Sequence, residues 1–461
     1  MAQHQEARSY QESQARIWQH LQPELSEHII SFLSPNEIAC TVRLINKAAA
    51  AQFGGAHLAT VHLSSPVPTH AFKQHWCRPG AMRVLTLKQR QQLLCLTARS
   101  GSIPNLELVV AATGLFPVGS WTKEPGPVAL AAAAEQLDAY QWLLQRGYTA
   151  DGALVAAAAA GKQVVCEELL AKGCCWDFSA VYAAARGGHV GLMEWLLHQR
   201  PEQELWLQGY VDSPVVELMG AAILGCNLEA VHNLVDLLHR RSHCPVGFMA
   251  ELDQLHQHMI TRAATRSLTP DWQAKVMWLE TLGFPKFRHC LEGAAGCPDA
   301  LERLRWLHGR GYPFSSSVVQ TAVDHGNLEA LEYLLGEAIE DLTFGCESAC
   351  ERGFLAALTF LHARGYVFDP EHVVHAAAGG QLAVVAWLVD ELGEELAAAD
   401  PRGPLLNARV FTAAACSGNM ELLRWLRERG CPWNEKTSTQ AAAAGCEEAL
   451  EWLVEQGCPW P

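Results

Sequence analysis

The sequence contains no run of about 18 consecutive apolar residues, the length that a membrane-spanning helix needs. Its first stretch, MAQHQEARSYQESQARIW, is polar and includes Glu6 and Glu12, so it does not have the apolar segment of a secretory signal. The 16 cysteines are scattered without paired spacing and are expected to remain reduced. These absences predict a protein of the cytoplasm or nucleus that does not span a membrane.

Catalytic signatures are missing as well. The sequence has no Gly-x-Ser-x-Gly elbow, no Walker-type phosphate loop and no His-Glu-x-x-His pair. Cysteines such as Cys166, Cys226, Cys416 and Cys446 stand where a small apolar side chain fits between helices, which favours packing over nucleophilic roles. We therefore expect no enzymatic activity and no cofactor. A lipid-directed phosphodiesterase is a remote alternative without a supporting His, Asp and Glu set.

One segment has metal-binding residue types. His239 and His243 would share a helix face, Cys244 follows, and His256 and His258 are nearby. No Cys-x-x-Cys pair completes a ligand set, so solvated histidines are the favoured interpretation and no metal is expected.

The charge of the chain is low and uneven. Charged residues make up 18% and hydrophobic residues 49%, with a net charge of −15. Residues 1–100 hold ten Lys and Arg against five Asp and Glu, so the rest carries −20 (24 positive, 44 negative). Such a surface repels phosphate backbones, which argues against nucleic-acid binding and favours protein partners.

A repeated sequence pattern extends from about residue 90 to the end of the sequence. A run of small residues ends in a glycine, a large ring usually follows seven residues later, and a second glycine often stands at position twelve. The second glycines are spaced by 26, 28, 54 and 27 residues, so the period is near 27 from about residue 90 to the end. The first glycines are Gly161, Gly188, Gly326, Gly353, Gly380, Gly418 and Gly445.

Each unit predicts a helical hairpin. In the last unit, residues 441–444 are alanines of a first helix, and Gly445 ends that helix in the left-handed conformation. The second helix has a broad apolar face and ends at Gly457. That face consists of Ala449, Leu450, Trp452, Leu453 and Val454. One hairpin cannot bury this face alone, so we expect a solenoid of stacked hairpins.

The loop after each second glycine carries an aromatic residue, as in Gly-Cys-Pro-Trp. The rings either fix the loop to the next hairpin or contact a partner protein. The candidate partner-binding residues are Tyr148, Trp176, Phe314, Phe368 and Trp433.

The small-residue run, the glycine, the aliphatic helix and the terminal glycine resemble ankyrin repeats, as in AAARGGHVGLMEWLL, where His189 matches the Gly-His turn. The units are shorter than the usual ankyrin repeat and lack its Thr-Pro-Leu-His stretch. They resemble the large ankyrin-repeat families of volvocine green algae. This resemblance implies eleven or twelve stacked units that bind proteins.

The N-terminal segment LQPELSEHIISFLSPNEIACTVRLINKAAAAQF lies outside the repeats. Its first helix is expected to have an apolar face made of Leu25, Ile29, Ile30, Phe32 and Leu33, and a second helix starts at Ser34-Pro35. The expected buried side of this second helix consists of Ile38, Val42, Leu44 and Ile45.

This segment resembles an F-box, a three-helix motif that docks on a Skp-type adaptor of cullin-RING ubiquitin ligases. The alternative is a cap on the first repeat. The matching residues, which the resemblance implies bind the adaptor, are Leu21, Pro23, Leu25, Ile30, Leu33, Pro35, Ile38 and Leu44.

The predicted organisation is all-α. It comprises a disordered N-terminus at 1–16, an F-box-like module at 17–57, an irregular connector at 58–87 and a solenoid at 88–461. Inserts are expected near 200–215, 239–259 and 394–409. The predicted function is protein binding, either as the substrate-recognition subunit of a ubiquitin ligase or as a plain scaffold, with the chain monomeric by itself.

Overall fold

The computed structural model describes residues 23–115, 125–199, 214–242, 248–336, 345–399 and 403–460. The structure is 69% helix, and the described ranges contain no strand, which confirms the all-α prediction. Across these ranges, none of the helices has both the length and the apolar character required to cross a membrane. The expected disordered segment 1–16 and most of the insert at 200–215 lie outside the described residues.

The helices are numbered here in chain order, and two short 3₁₀ helices at Val42–Leu44 and Phe248–Glu251 accompany them. They are α1 Pro23–Ile30, α2 Pro35–Cys40, α3 Lys47–Gln52, α4 Ala56–Ala59, α5 Thr69–Trp76, α6 Leu87–Ser100, α7 Ile103–Thr113, α8 Pro127–Ala133, α9 Leu137–Gln145, α10 Ala153–Ala159, α11 Gln163–Ala171, α12 Phe178–Arg186, α13 Val190–His198, α14 Pro214–Gly225, α15 Leu228–Ser242, α16 Gln254–Thr265, α17 Trp272–Thr281, α18 Cys290–Ala295, α19 Ala300–Gly309, α20 Ser316–Asp324, α21 Leu328–Gly336, α22 Glu347–Arg352, α23 Leu355–Ala363, α24 Pro370–Ala378, α25 Leu382–Asp390, α26 Gly393–Ala399, α27 Ala408–Ser417, α28 Met420–Glu428, α29 Glu435–Ala444 and α30 Glu447–Glu455.

The chain divides into two compact units, and each is described by itself. One contains residues 1–82, 89–157 and 162–174, and the other contains 83–88, 158–161 and 175–461. In the second unit the helices come in consecutive pairs, and the two members of a pair pack against each other. The first helices of successive pairs also pack in series, in the order α12, α14, α16, α18, α20, α22, α24, α27 and α29. Helix α26 follows α25 as an addition to the paired pattern.

The last pair shows how the repeated sequence pattern folds. Asn434 caps the start of α29, where its side chain accepts a hydrogen bond from the backbone N–H of Lys436. Gly445 ends that helix with φ of 72°, and Gly418 ends α27 with φ of 71°, which confirms the expected left-handed caps. Ala441, Ala449 and Leu453 are fully buried between helices.

The apolar face of α30 is narrower than predicted. Leu453 is fully buried, and burial of such a side chain contributes about 1.5–3 kcal/mol. Leu450 and Trp452 are half-buried, whereas Val454 is exposed. The prediction that Val454 packs in the core was therefore wrong, because α30 presents only a stripe to its neighbours.

Polar side chains connect several pairs to the preceding one. In four of them, the residue that precedes the second helix donates a hydrogen bond to a carbonyl at or just after the C-terminal end of the previous pair's first helix. Such carbonyls have no partner within their own helix, so each bond satisfies a group that the helix leaves free. The observed bonds are Asn419 Nδ2 to Gly380 O at 2.8 Å, Gln381 Nε2 to Glu351 O at 3.0 Å, His189 Nε2 to Ala159 O at 3.1 Å and Asn327 Nδ2 to Cys297 O at 3.4 Å.

Two pairs make the same connection with a buried cation on the second helix. Arg303 of α19 donates from Nη1 to the carbonyl of Thr265 at 2.9 Å, and its Nε donates to Asp299 at 2.7 Å. Lys275 of α17 is fully buried and donates to the carbonyl of Ile223 at 2.9 Å. Both cations occupy the fourth position of their helix and follow an aspartate four residues earlier.

Lys275 is the more completely enclosed of the two. Its Nζ also donates to the hydroxyls of Ser267 at 2.7 Å and Thr269 at 2.6 Å, and to the carbonyl of Cys226. Asp271 lies 3.6 Å away and supplies the opposite charge. Burial lowers the pKa of Lys275, and the charge of Asp271 opposes this effect.

The segment between the N-terminal module and the repeats is more ordered than predicted. Residues 58–87 were expected to be irregular, but Thr69–Trp76 form helix α5, which packs on α7. Asn105 of α7 donates to the carbonyl of Val67 at 2.8 Å just before α5 begins. Proline thus starts this helix rather than breaking it, because Pro68 stands at its N-cap. The insert near 394–409 likewise contains α26.

Residues 83–88 belong to the second unit and lie on its last helix pair. The backbone N–H of Glu448 donates to the carbonyl of Arg83 at 3.0 Å. The Arg83 side chain forms ion pairs with Glu447 and Glu451 of α30. A Cβ added to Gly445 would lie 3.1 Å from the Cβ of Leu87, so the segment packs closely against the end of α29. We refer to residues 83–88 as the strap.

Replacing Lys275 with Met should destabilise the protein by about 3 kcal/mol, because it leaves Asp271 and buried carbonyl groups without their cation. The measurement is the midpoint of urea unfolding followed by circular dichroism. Lys436→Met, at an exposed site, is the control and should change stability by less than about 0.5 kcal/mol. Equal midpoints for the two variants would show that the buried cation does not stabilise the stack.

Candidate partner-binding surfaces

The N-terminal module has a small core of its own. Ile30 of α1, Ile38 of α2, Val42 and Phe53 are buried against one another. Leu33, Ile45 and Leu58 pack on this cluster from its edge. The module therefore holds its shape through contacts among residues 30–58.

Hydrogen bonds of Asn36 connect the start of α2 to residues 62–66. Ser34 and Glu37 form a reciprocal capping box, and Pro35 occupies the first turn. Asn36 is buried and donates to the carbonyls of His62 at 2.8 Å and Pro66 at 3.0 Å. The N–H of His62 in turn donates to Asn36 at 2.8 Å. Sequence reasoning missed Asn36, whose type alone does not distinguish a helix cap from a buried bridge.

The apolar face predicted for α1 is split between core and solvent. Ile30 and Leu33 face the core, but Leu25, Ile29 and Phe32 are 51%, 42% and 76% exposed. The spacing of these three residues, four and then three, places them on one side of the helix and the turn that follows. We call Leu25, Ile29 and Phe32 the α1 stripe. The predicted apolar face is therefore only partly buried, because this short helix has a core on one side only.

The remaining adaptor candidates divide in the same way. Ile38 is buried, whereas Pro35 is exposed at the start of α2. Leu44, expected on the buried side, is 74% exposed in the 3₁₀ helix. Pro23 begins α1, and Leu21 lies outside the described residues.

A groove of about 520 Å³ adjoins Leu44 in this unit. Its lining includes Val61, Leu63, Phe72 and Trp76 from α5 and the chain that leads into it, and Cys40 from the end of α2. The module thus presents an exposed stripe and an apolar groove, both of which are features of protein-binding surfaces.

The loop aromatics of the repeats are packed rather than free. Tyr148 is buried, and its hydroxyl donates to the carbonyl of Leu115 at 2.9 Å. Phe368 is also buried, with its ring 5.4 Å from that of Trp387. These two rings have no surface to offer to a partner.

The other three rings are half-buried and contact the second helix of the following pair. Trp176 donates from Nε1 to the carbonyl of Leu196 at 2.9 Å. Phe314 lies 6.2 Å from the ring of Tyr333. Trp433 lies 6.5 Å from Trp452, with Arg427 stacked on it at 3.6 Å. These contacts support the interpretation that the rings fix each loop to the next hairpin.

The histidine-rich segment does not assemble a metal site in the described ranges, where no group of three metal-binding side chains is found. His239 is exposed, and His256 bonds Asp253 at 2.8 Å at the start of α16. The ring of His258 lies 5.5 Å from that of His289. His243 and Cys244 lie outside the described side chains.

A buried group of polar side chains, which sequence reasoning missed, lies between α22 and α24. Cys346 and Cys350 are fully buried on α22 and its N-cap, and His372 of α24 is 95% enclosed. His372 Nδ1 bonds the Asp369 carboxylate at 2.8 Å, and its buried Nε2 has no hydrogen-bond partner among the described residues.

The position of this group in the repeat is informative. Seven residues before the glycine that ends the first helix, other pairs have Val181, Val319, Val373 or Phe411, where this pair has Cys346. A core position is therefore occupied by a thiol. The signal is visible only after the repeats are aligned on their glycines.

The chemistry of Cys346 differs from that of the other cysteines. A hydrogen bond from Cys350 lowers the pKa of Cys346, burial opposes this effect, and His372 lowers it further. For His372, burial acts to lower the pKa, but the bond and charge of Cys346 outweigh it and raise the pKa. Burial raises the pKa of thiols such as Cys166, Cys226 and Cys290. The downward direction of its pKa shift therefore sets Cys346 apart from these buried thiols.

Replacing His372 with Asn should raise the pKa of Cys346, because it removes the cation that favours the thiolate. The measurement is the ultraviolet absorbance of thiolate as a function of pH on the intact protein. The wild type should show one thiolate that forms at a pH below the others, and Cys346→Ala should abolish that step. A step that persists unchanged in His372→Asn would contradict the pairing.

The chain matches no protein-family model, and no curated protein matches it either. The features that bear on its function are therefore the α1 stripe, the groove beside Leu44 and the packing of the repeats.

Proposed function

We propose that this chain is a protein-interaction protein that recruits a target to a ubiquitin ligase. In this proposal the F-box-like module at residues 17–57 docks on a Skp-type adaptor, and an ankyrin-type solenoid selects the target. The site of action is the cytoplasm or nucleus, and the chain acts as a monomer without catalysis of its own.

The observation that carries the adaptor half is the exposed α1 stripe. Three large apolar side chains on one helix face cost free energy in water, roughly 0.8 kcal/mol for each CH₂ that a partner could bury. They stand on a module whose core residues, such as Ile38 and Phe53, hold the stripe in place. A module that served only as a cap would gain nothing from leaving Leu25 and Phe32 in solvent.

Support for the repeat half comes from the serial packing of the first helices in the second unit. Helix pairs that contact mainly their sequence neighbours form extended surfaces suited to binding proteins. The loop rings, which pack on the next pair, stiffen this surface and leave the first helices to provide contacts with a target.

Phe32→Asp should weaken binding of a purified Skp-type adaptor by about 10- to 100-fold, because a charge replaces a side chain whose burial is worth about 1.5–3 kcal/mol. Leu25→Asp should act in the same direction. Both positions are exposed, so the circular dichroism spectrum should remain that of the wild type. Binding is measured by biolayer interferometry with the full chain.

The matched control is Val367→Asp, which places a charge on a valine that is 79% exposed in a repeat loop. It should leave adaptor affinity unchanged. If the wild type does not bind the adaptor, or if Phe32→Asp binds as well as Val367→Asp, the ligase role is refuted and a plain repeat scaffold remains.

A further inference from the structure

A groove of about 410 Å³ lies across three successive first helices in the second unit. Arg186 at the end of α12 forms one edge. Residues 216–224 of α14 form the middle, and residues 259–266, on and just after α16, form the other edge. A groove of this volume accommodates a few side chains of a ligand.

The floor of the groove is apolar. Val216, Ala221 and Ile260 line it and are buried in the stack. Met259 stands at the rim and is 41% exposed. Gly220 lies at mid-helix in the same lining, and a Cβ built on it would have no atom within 4 Å. The floor therefore has room for an apolar side chain that the protein itself does not supply.

The rim is positively charged on a protein that is otherwise acidic. Arg186, Arg262 and Arg266 line the groove with a single acidic residue, Glu217, so the lining carries a net charge of +2. The whole chain carries −15. All three arginines are exposed, and none is in ion-pair contact with an acidic side chain of the described ranges. Glu292, near Arg262, is engaged by His289 at 2.6 Å.

The arrangement favours an extended ligand over a compact one. Arg186 and Arg262 belong to first helices that are two steps apart in the series, and adjacent helices pack about 8–10 Å apart. The arginine-bearing edges are then roughly 16–20 Å apart, which corresponds to about five or six residues of extended peptide. Guanidinium groups at both edges match carboxylates, and the floor matches an apolar residue between them.

We propose that this groove is the target-recognition site and that it binds an extended acidic protein segment with an apolar side chain at its centre. The inference deepens the proposed function and rests on its target-binding half. It assigns specificity to Arg186, Arg262 and Arg266, with Gly220 providing the space for the apolar side chain.

Fluorescence anisotropy with labelled synthetic peptides tests the proposal on the full chain. The main probe is Glu-Asp-Glu-Leu-Asp-Glu-Asp. One comparison peptide replaces Leu with Gly, and another replaces every acidic residue with Lys. The acidic Leu peptide should bind most tightly, and its affinity should fall as the salt concentration rises, since charges exposed to solvent are screened.

The double variant Arg262→Glu/Arg266→Glu should weaken this binding at least tenfold by reversing the charge of the rim. Arg424→Glu, at an exposed site on α28, is the control and should bind as the wild type does. Gly220→Leu should also weaken binding by filling the floor, while its helix content is retained because leucine is a better helix former than glycine.

Three results would overturn the proposal: no binding of the acidic Leu peptide up to about 1 mM, equal binding of the Lys peptide, or unchanged binding by the double variant. Preferential binding of a labelled oligothymidylate, or displacement of the peptide by decanoate alone, would assign the groove to another ligand class and also refute it. The adaptor measurement with Phe32→Asp is independent, so loss of the ligase role and loss of the groove assignment are distinguishable.

Discussion

In the second unit, carbonyls at the ends of several first helices find their hydrogen-bond donors in the next helix pair. Most of these first helices stop at a glycine, and their last carbonyls have no partner within their own helix. Asn419, Gln381, Asn327 and His189 supply the missing donors from the following pair. These bonds fix the register between neighbours, since a shifted pair would bury the carbonyls without a partner at a cost of about 1–3 kcal/mol each.

The pairs that depart most from the repeated sequence pattern solve this problem differently. In the described residues between α14 and α19, the residue before the second helix does not donate to a carbonyl of the preceding first helix. Lys275 and Arg303 donate to such carbonyls instead, from within the second helix. Asp271 and Asp299 keep these cations paired. The same region carries the groove with three arginines, so the irregular pairs combine unusual internal connections with an unusual surface.

The sequence period predicted the paired helices and the left-handed Gly418 and Gly445, because these depend on local backbone chemistry. It also suggested that loop rings such as Trp433 pack on the next hairpin. It did not predict that Leu25, Phe32 and Leu44 face solvent, since an apolar residue has the same spacing whether it meets a core or a partner. Helix α5 was missed because Pro66 and Pro68, which precede it, resemble the prolines of a loop. Cys346 and His372 were missed because their contact crosses between pairs.

The strap gives the last helix pair a neighbour that its position in the sequence would not supply. Pairs inside a series are covered on both sides by their neighbours. Here Arg83 and Leu87 cover the end of α29 and part of α30. A fragment that starts at residue 88 therefore loses contacts with a region more than 350 residues downstream, whereas a fragment that starts near residue 60 keeps them.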